Sequence, residues 1–251
     1  VRKISSKDNP RFKRWRQLLE PRGIKKHRQF LVCGERIVQE ILQERGNHCL
    51  DILYPPDWIH PLFTSVTGEQ WSLDAALFQQ LDIFGTRTPL LVCPTPTIPT
   101  WNPEAPPQGL EFLCPLGDPS NVGAVLRTCQ ALGIQRVILL KESASPFHPR
   151  AVRAASGALF RTTLVHGPSI HDLHQANGLA PIVALDAEGQ SLSNFEWPKN
   201  VRLLVGEEGL GLPDRPWAHH VSIPMVHGMH SLNAVVAASI GLYAYRQQHP
   251  W

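Results

Sequence analysis

Three short segments of the chain carry residue types that could do chemistry, and each follows an apolar run. The first is Asp118-Pro119-Ser120-Asn121-Val122-Gly123, which leads into a helical stretch carrying Arg127. The second, Val205-Gly206-Glu207-Glu208-Gly209-Leu210-Gly211-Leu212, places three glycines at the end of a strand-like run. Glycines there let a backbone loop pass close to a ligand, and ligands of open α/β sheets sit at the carboxyl ends of strands. The spacing is neither Gly-x-Gly-x-x-Gly nor a Gly-Lys-Ser/Thr phosphate loop. Two adjacent acids would repel a phosphate-rich ligand and tolerate a cationic one such as a sulfonium. The third is Ile223-Pro224-Met225, followed by Ser231-Leu232-Asn233 at the opening of the last helical stretch. Each segment also has a plain structural reading. Asn121 and Ser231 suit helix starts, the glycines suit a turn, and Arg127 on an outer helix face suits a solvated charge.

The elements that position these segments follow from apolar periodicity. Runs at 111–116, 137–140, 182–185, 201–205 and 221–223 read as short buried strands, and 120–132 reads as a helix ended by Gly133. On that helix Val122, Val125, Leu126, Cys129 and Leu132 form one stripe, and Arg127 points away from it. The last helix, 231–247, is rich in small residues (Ala234, Ala237, Ala238, Gly241) that permit close approach to the sheet or to a second subunit. Upstream, 30–33, 50–54 and 90–93 read as strands, with helices over 37–42 and 74–81. Six prolines between Pro94 and Gly109 predict a stiff, extended linker. The expected layout is an α/β protein: a small domain over 1–93, a linker over 94–110, and a mostly parallel sheet with helices on both faces over 111–251.

Charge is unevenly spread. Eleven Lys or Arg against two acids give residues 1–30 a charge of +9, while the whole chain is +3 and the remainder therefore −6. Such a block is an electrostatic footprint for a polyanion, with Arg11, Lys13, Arg14 and Arg28, and Arg36 just beyond it, as candidate nucleic-acid contacts. Phe12 and Trp15 could stack on bases, or could dock the basic helix to the body. The five cysteines are scattered, with no Cys-x-x-Cys pair, which suits reduced thiols in a cytoplasmic protein. Neither a membrane span nor a secretory leader is expected. His227 with His230, and His171 with His174, lack further ligands at zinc-site spacing, so no metal is expected. Ser231 has no ordered His and acidic partners for a hydrolase triad.

Taken in order, Asp-Pro-Ser-Asn-Val-Gly…Arg, Gly-Glu-Glu-Gly-Leu-Gly-Leu and Ile-Pro-Met…Ser-Leu-Asn resemble the three motifs of the SpoU (TrmH) family of RNA ribose methyltransferases. Arg153-Ala154-Ala155-Ser156-Gly157-Ala158-Leu159-Phe160 resembles the pattern between the first two. Residues 1–93 resemble more loosely the substrate-binding domain of many members. The resemblance implies a C-terminal α/β domain threading a trefoil knot, an exception among folds. It also implies a homodimer with the site at the subunit interface and S-adenosylmethionine as cofactor. By position, Gly206, Ile223 and Leu232 would hold the cofactor, and Asn121, Arg127, Glu208, Ser231 and Asn233 would line the reaction site. The chain departs from the pattern at His227, where Gly is usual, at Ala234-Val235 in place of Val-Ser, and at Glu207 in place of a smaller residue.

The implied reaction is 2'-O-methylation of a ribose, with large-subunit ribosomal RNA favoured over transfer RNA. The alternatives are a tRNA enzyme of the same kind, methylation of a base nitrogen, and a catalytically silent RNA-binding or assembly factor. The family role of general base falls on Arg127, but a guanidinium is not deprotonated in proteins. A charged clamp on phosphate and developing alkoxide is the physically consistent part for it.

Overall fold

The computed structural model describes residues 1–45, 49–58, 67–176, 180–213, 218–229 and 231–251. The chain forms two compact units, one from residues 1–97 and 145–157, the other from 98–144 and 158–251.

In the first unit, β1 (Arg2–Ile4), β4 (Glu69–Leu73), β3 (Asp51–Tyr54), β5 (Leu90–Pro94) and β2 (Gln29–Val32) lie side by side in that order. β1, β4 and β3 are mutually parallel, and β5 runs antiparallel to both its neighbours. Helix α1 (Pro10–Gln17) starts at Asn9, whose side chain accepts the Arg11 N–H, with Pro10 supplying a preset first turn. Its Phe12 and Trp15 are buried in a core shared with Leu31, Leu53, Trp71, Leu73 and Leu90. Both rings are therefore unavailable to stack on bases; of the two readings of the basic helix, docking to the body is the one realised. Helices α2 (Pro21–His27), α3 (Glu35–Arg45) and α4 (Ala75–Leu81) complete the first stretch. Helix α6 (Pro149–Ala155) packs against β2, with Phe147 tilted on Phe30 at 5.1 Å between ring centres.

This placement separates 145–157 from the sequence around it, which composition had grouped with 111–251. The apolar face of α6 (Ala151, Val152, Ala155) is buried in the first unit. The proline-rich stretch also differs from a free linker. Residues 95–109 form no helix or strand, yet from Ile98 onward they belong to the second unit. The reason is Arg202, fully buried on the sheet, whose guanidinium donates to the carbonyls of Pro103 and Ala105 at 2.9 and 2.8 Å and lies over the Trp101 ring. Glu111, its register partner on the next strand, accepts from Arg202 at 3.2 Å and from Arg136 at 2.8 Å.

The second unit is a seven-stranded sheet in the order β10 (Gln190–Ser191), β12 (His219–Ser222), β9 (Ile182–Asp186), β11 (Val201–Leu204), β6 (Leu110–Cys114), β7 (Arg136–Leu139), β8 (Thr163–His166). Every pairing is parallel. The central strands are buried on both faces, which explains their unbroken apolar runs. Helix α5 (Pro119–Ala131) follows β6 and packs on the final helix α7 (Ala234–Gln248). A Cβ on Gly241 would sit 2.9 Å from Leu185 and 3.3 Å from Leu203, so this glycine is what lets α7 lie directly on the sheet. No helix among the described residues is long and apolar enough to cross a membrane.

Candidate active site

Because β12, β9, β11 and β6 are neighbours running the same way, the loops leaving their carboxyl ends converge. The three segments singled out by residue type are these loops, or the helix starts behind them. A recess of about 500 Å³ opens there, a size suited to a nucleoside-like ligand. It is lined by Asp186, Gly206, Glu207, Glu208, Ile223, Met225, Ser231, Leu232 and Asn233, with Ala234 and Ala237 of α7 behind them.

Local chemistry fixes each part. Asp118 caps α5, its carboxylate accepting the N–H groups of Ser120 (2.8 Å) and Asn121 (3.1 Å), with Pro119 at the first helical position. Asn121 is thus capped rather than capping, and its side-chain amide donates instead to Glu208. The other Glu208 oxygen accepts the Asp118 N–H at 2.8 Å. Glu208 therefore ties the glycine-rich loop to the start of α5. Residues 207 and 211 exchange two backbone hydrogen bonds, at 2.9 and 3.0 Å, closing a tight loop with Gly209 and Gly211 at positive φ. A Cβ on Gly206 would meet the backbone of Gly211 at 2.8 Å, so the close approach requires glycine there.

Two helix-start expectations change. Asn233, not Ser231, caps α7: its side-chain oxygen accepts from Val235 at 2.9 Å and Val236 at 3.3 Å. Asn233 keeps its amide N–H donors. Ser231 stands two residues ahead, exposed at the rim of the recess, so its hydroxyl is not consumed by the helix. Arg127 lies on the exposed face of α5 and does not line the recess of its own chain. Of the sequence-chosen residues, Gly206, Glu208, Ile223, Ser231, Leu232 and Asn233 come together directly, and Asn121 joins them through Glu208. His230 lies outside the described residues.

The electrostatics of the recess select among ligands. Among the described residues its lining holds Asp186, Glu207 and Glu208 and no Lys or Arg. These carboxylates repel a polyphosphate, whereas a sulfonium or ammonium group would be favourably placed beside them. Sequence reasoning missed Asp186, although an acid ending a buried parallel strand is a recognisable ligand-facing position. It also missed His220, whose Nδ1 lies 2.9 Å from Asp186.

In the first unit the basic residues divide. Arg11 and Arg14 reach the buried carboxylate of Asp51 at 3.4 and 3.2 Å, alongside the indole N–H groups of Trp15 (3.1 Å) and Trp71 (3.0 Å). Arg11 also pairs with Glu69 at 2.9 Å. These two arginines are thus engaged in holding α1 to the sheet. Lys13 pairs with Asp8 at the surface, Arg28 donates to Thr97 at 3.0 Å, and Arg36 is exposed. Lys7, Lys13 and Arg16 edge a shallow recess of about 310 Å³ beside Phe12. His27 is held below its ordinary pKa by partial burial first, then by the charges of Lys26 and Arg14.

A parallel sheet with a recess formed by the loops at its carboxyl edge defines an open α/β fold with its ligand site at the strand ends. Residues 112–243 fit the sequence model of the SpoU rRNA Methylase family, and the chain belongs to that family. It is 42% identical over 246 residues to Ribosomal RNA small subunit methyltransferase G 2 of Syntrophobacter fumaroxidans (strain DSM 10017 / MPOB). That match takes in 97% of this chain and 49% of the relative, so the chain spans about half that protein's length. The 23S rRNA (uridine(2479)-2'-O)-methyltransferase of Streptomyces viridochromogenes is 31% identical, covering 99% of this chain and 93% of that one. Among solved structures, the SpoU methyltransferase AviRb from Streptomyces viridochromogenes, in complex with AdoMet, superposes with a TM-score of 0.75 at 26% identity. That superposition covers 96% of this chain and 99% of AviRb.

Proposed function

We propose that the protein transfers a methyl group from S-adenosylmethionine to a ribose 2'-hydroxyl of RNA, with large-subunit ribosomal RNA as the substrate. The observation that carries this reading is the acid-lined recess in which Gly206, Ile223 and Leu232 of three separate loops meet beside Glu208. The 23S rRNA (uridine(2479)-2'-O)-methyltransferase of Streptomyces viridochromogenes, similar over nearly its whole length, supports the substrate class.

S-adenosylmethionine, when bound, supplies an electrophilic methyl group next to a positive sulfur. Gly206, Ile223 and Leu232 hold it, largely through backbone groups, and the carboxylates of the lining favour its positive charge. Ser231, Asn233 and Asn121 orient the attacking hydroxyl by hydrogen bonds. Glu208 acts by position: both its oxygens already accept donors from the start of α5, which suits a brace better than a base. Arg127 stays charged, grips the phosphate of the target nucleotide and stabilises the developing alkoxide, the proton leaving to water or a phosphate oxygen.

Since Arg127 lies outside the recess of its own chain, the working form is a homodimer in which Arg127 of a second copy completes the site. Exposed Leu210, Val226, Met229, Leu232 and Val236, grouped by sequence around the recess and the start of α7, supply the apolar surface such a contact needs. The C-terminal portion threads a trefoil knot, and residues 1–93 capture RNA in the cytoplasm through Arg28, Arg36 and Lys13, with Lys7 and Arg16 added.

The test is incubation of undermodified large-subunit RNA with the protein and radiolabelled S-adenosylmethionine, followed by alkaline hydrolysis. Label in alkali-resistant dinucleotides is expected. Label released in mononucleotides would place the methyl on a base, and no saturable heat on titrating S-adenosylmethionine would mark a silent binding factor.

A further inference from the structure

Among the described residues the recess holds three carboxylates, and two of them are tied to elements away from their own loop. Both Glu208 oxygens accept from the start of α5, and Glu207 has the His171 ring at 3.7 Å. Asp186 differs. It is the last residue of β9, at the carboxyl edge of the sheet, in register with Ser222 of β12. His220 stands two residues earlier on β12, in register with Ala184, so its ring and the Asp186 side chain emerge on the same face of neighbouring strands. One Asp186 oxygen meets His220 Nδ1 at 2.9 Å, and the other accepts the Ala187 N–H at 2.7 Å. An ionised carboxylate only accepts, so Nδ1 carries the hydrogen of that contact.

With one donor on each oxygen, the carboxylate keeps about half of its acceptor sites. It is about one-third exposed, and it lines the recess. A carboxylate fixed by its neighbours at the end of a parallel strand is a preorganised acceptor for ligand hydroxyls, the arrangement that open α/β sheets use for ribose.

We propose that Asp186, oriented by His220, accepts hydrogen bonds from the ribosyl hydroxyls of the cofactor and so fixes the nucleoside end in the recess. This rests on the S-adenosylmethionine reading. Asp186 is then a binding residue and His220 a positioning residue acting through it. The Asp186 carboxylate also adds a third negative charge to the recess, working against phosphate-bearing nucleotides.

The test is calorimetric titration of the intact chain with S-adenosylhomocysteine, which cannot turn over, and with 5'-methylthioadenosine, which keeps the ribose and lacks the amino acid. Asp186→Asn is nearly isosteric, and Asp186→Ser is a second variant should the first misfold; thermal melting checks both. Loss of about tenfold or more in affinity for both ligands is expected, the effect of one charged hydrogen bond. A loss confined to S-adenosylhomocysteine would move the contact to the ammonium group and overturn the ribosyl assignment. Unchanged affinity for both would overturn the role of Asp186 altogether. His220→Asn, whose amide can replace the Nδ1 donor, is expected to stay within about threefold of the parent, while His220→Leu falls with Asp186→Asn. Equal loss in the two histidine variants would overturn the positioning role. Failure of the unsubstituted protein to bind either ligand would instead sink the cofactor reading itself.

Discussion

At the scale of single residues, similar side chains carry different duties according to what lies beside them. Arg14 and Arg36 are both basic residues of the first unit, yet Arg14 donates to a buried carboxylate and Arg36 faces solvent. Arg14→Ala should lower stability by about 1–3 kcal/mol in chemical denaturation, since Asp51 loses a donor while buried. Arg36→Ala should leave the unfolding midpoint unchanged and weaken RNA binding. The sequence could not reveal this division, because the partner of Arg11 and Arg14 lies some 40 positions away and charge counting sees only neighbours. The recess was more legible: glycines, paired acids and an Asn after a short polar run sit where strands end. For Arg127, the clamp role predicts that Arg127→Lys loses at least about tenfold in kcat, with little change in S-adenosylmethionine affinity by calorimetry. Near-full activity of the lysine variant would remove bidentate phosphate binding from the mechanism.

At the scale of elements, the strands that were hard to read are those with little to bury. β1, β8 and β10 lie at sheet edges, and β10 has only two residues. β4 alternates, burying Trp71 and Leu73 while Glu69 stays exposed, so it never forms an apolar run. The central strands, buried on both faces, were plain. Helix α7 shows what close packing demands. Gly241→Val should cost about 1–3 kcal/mol, read as a lower melting temperature, because its Cβ would press into Leu185 and Leu203. The buried Glu111–Arg202 pair makes a sharper case at the other end of the sheet. Glu111→Ala should destabilise by about 3–5 kcal/mol, since it strands a guanidinium that is 0% exposed. The accompanying loosening of residues 101–105 is measurable as faster amide exchange there.

At the scale of the whole molecule, five buried thiols set an alkaline limit. Burial is the leading cause in every case, raising Cys33 and Cys49 to about 12 and Cys114 to about 11, with Cys93 and Cys129 raised as well. The folded chain keeps these protons at a pH where the unfolded chain gives them up. Stability is therefore untouched below about pH 8.5 and falls as pH rises from there towards 11 or 12, by at most about 1.4 kcal/mol per pH unit for each thiol. Denaturation midpoints between pH 7 and 10.5 check this, and the native thiols should resist alkylation at pH 8.

The excursion of residues 145–157 bears on how the protein is made. Strand β2 is covered by α6, whose residues are synthesised only after β6, α5 and β7 of the other unit. Vectorial synthesis therefore cannot finish the first unit before starting the second, although domains commonly fold in order of emergence. A nascent chain stalled near residue 110 should remain protease-sensitive around Phe30, and protection should appear only once residues up to Gly157 have cleared the exit tunnel. For the same reason a single cut at the proline-rich stretch does not yield two self-sufficient pieces: the carboxyl-terminal fragment would carry Phe147 and Val152 without the strand that shelters them.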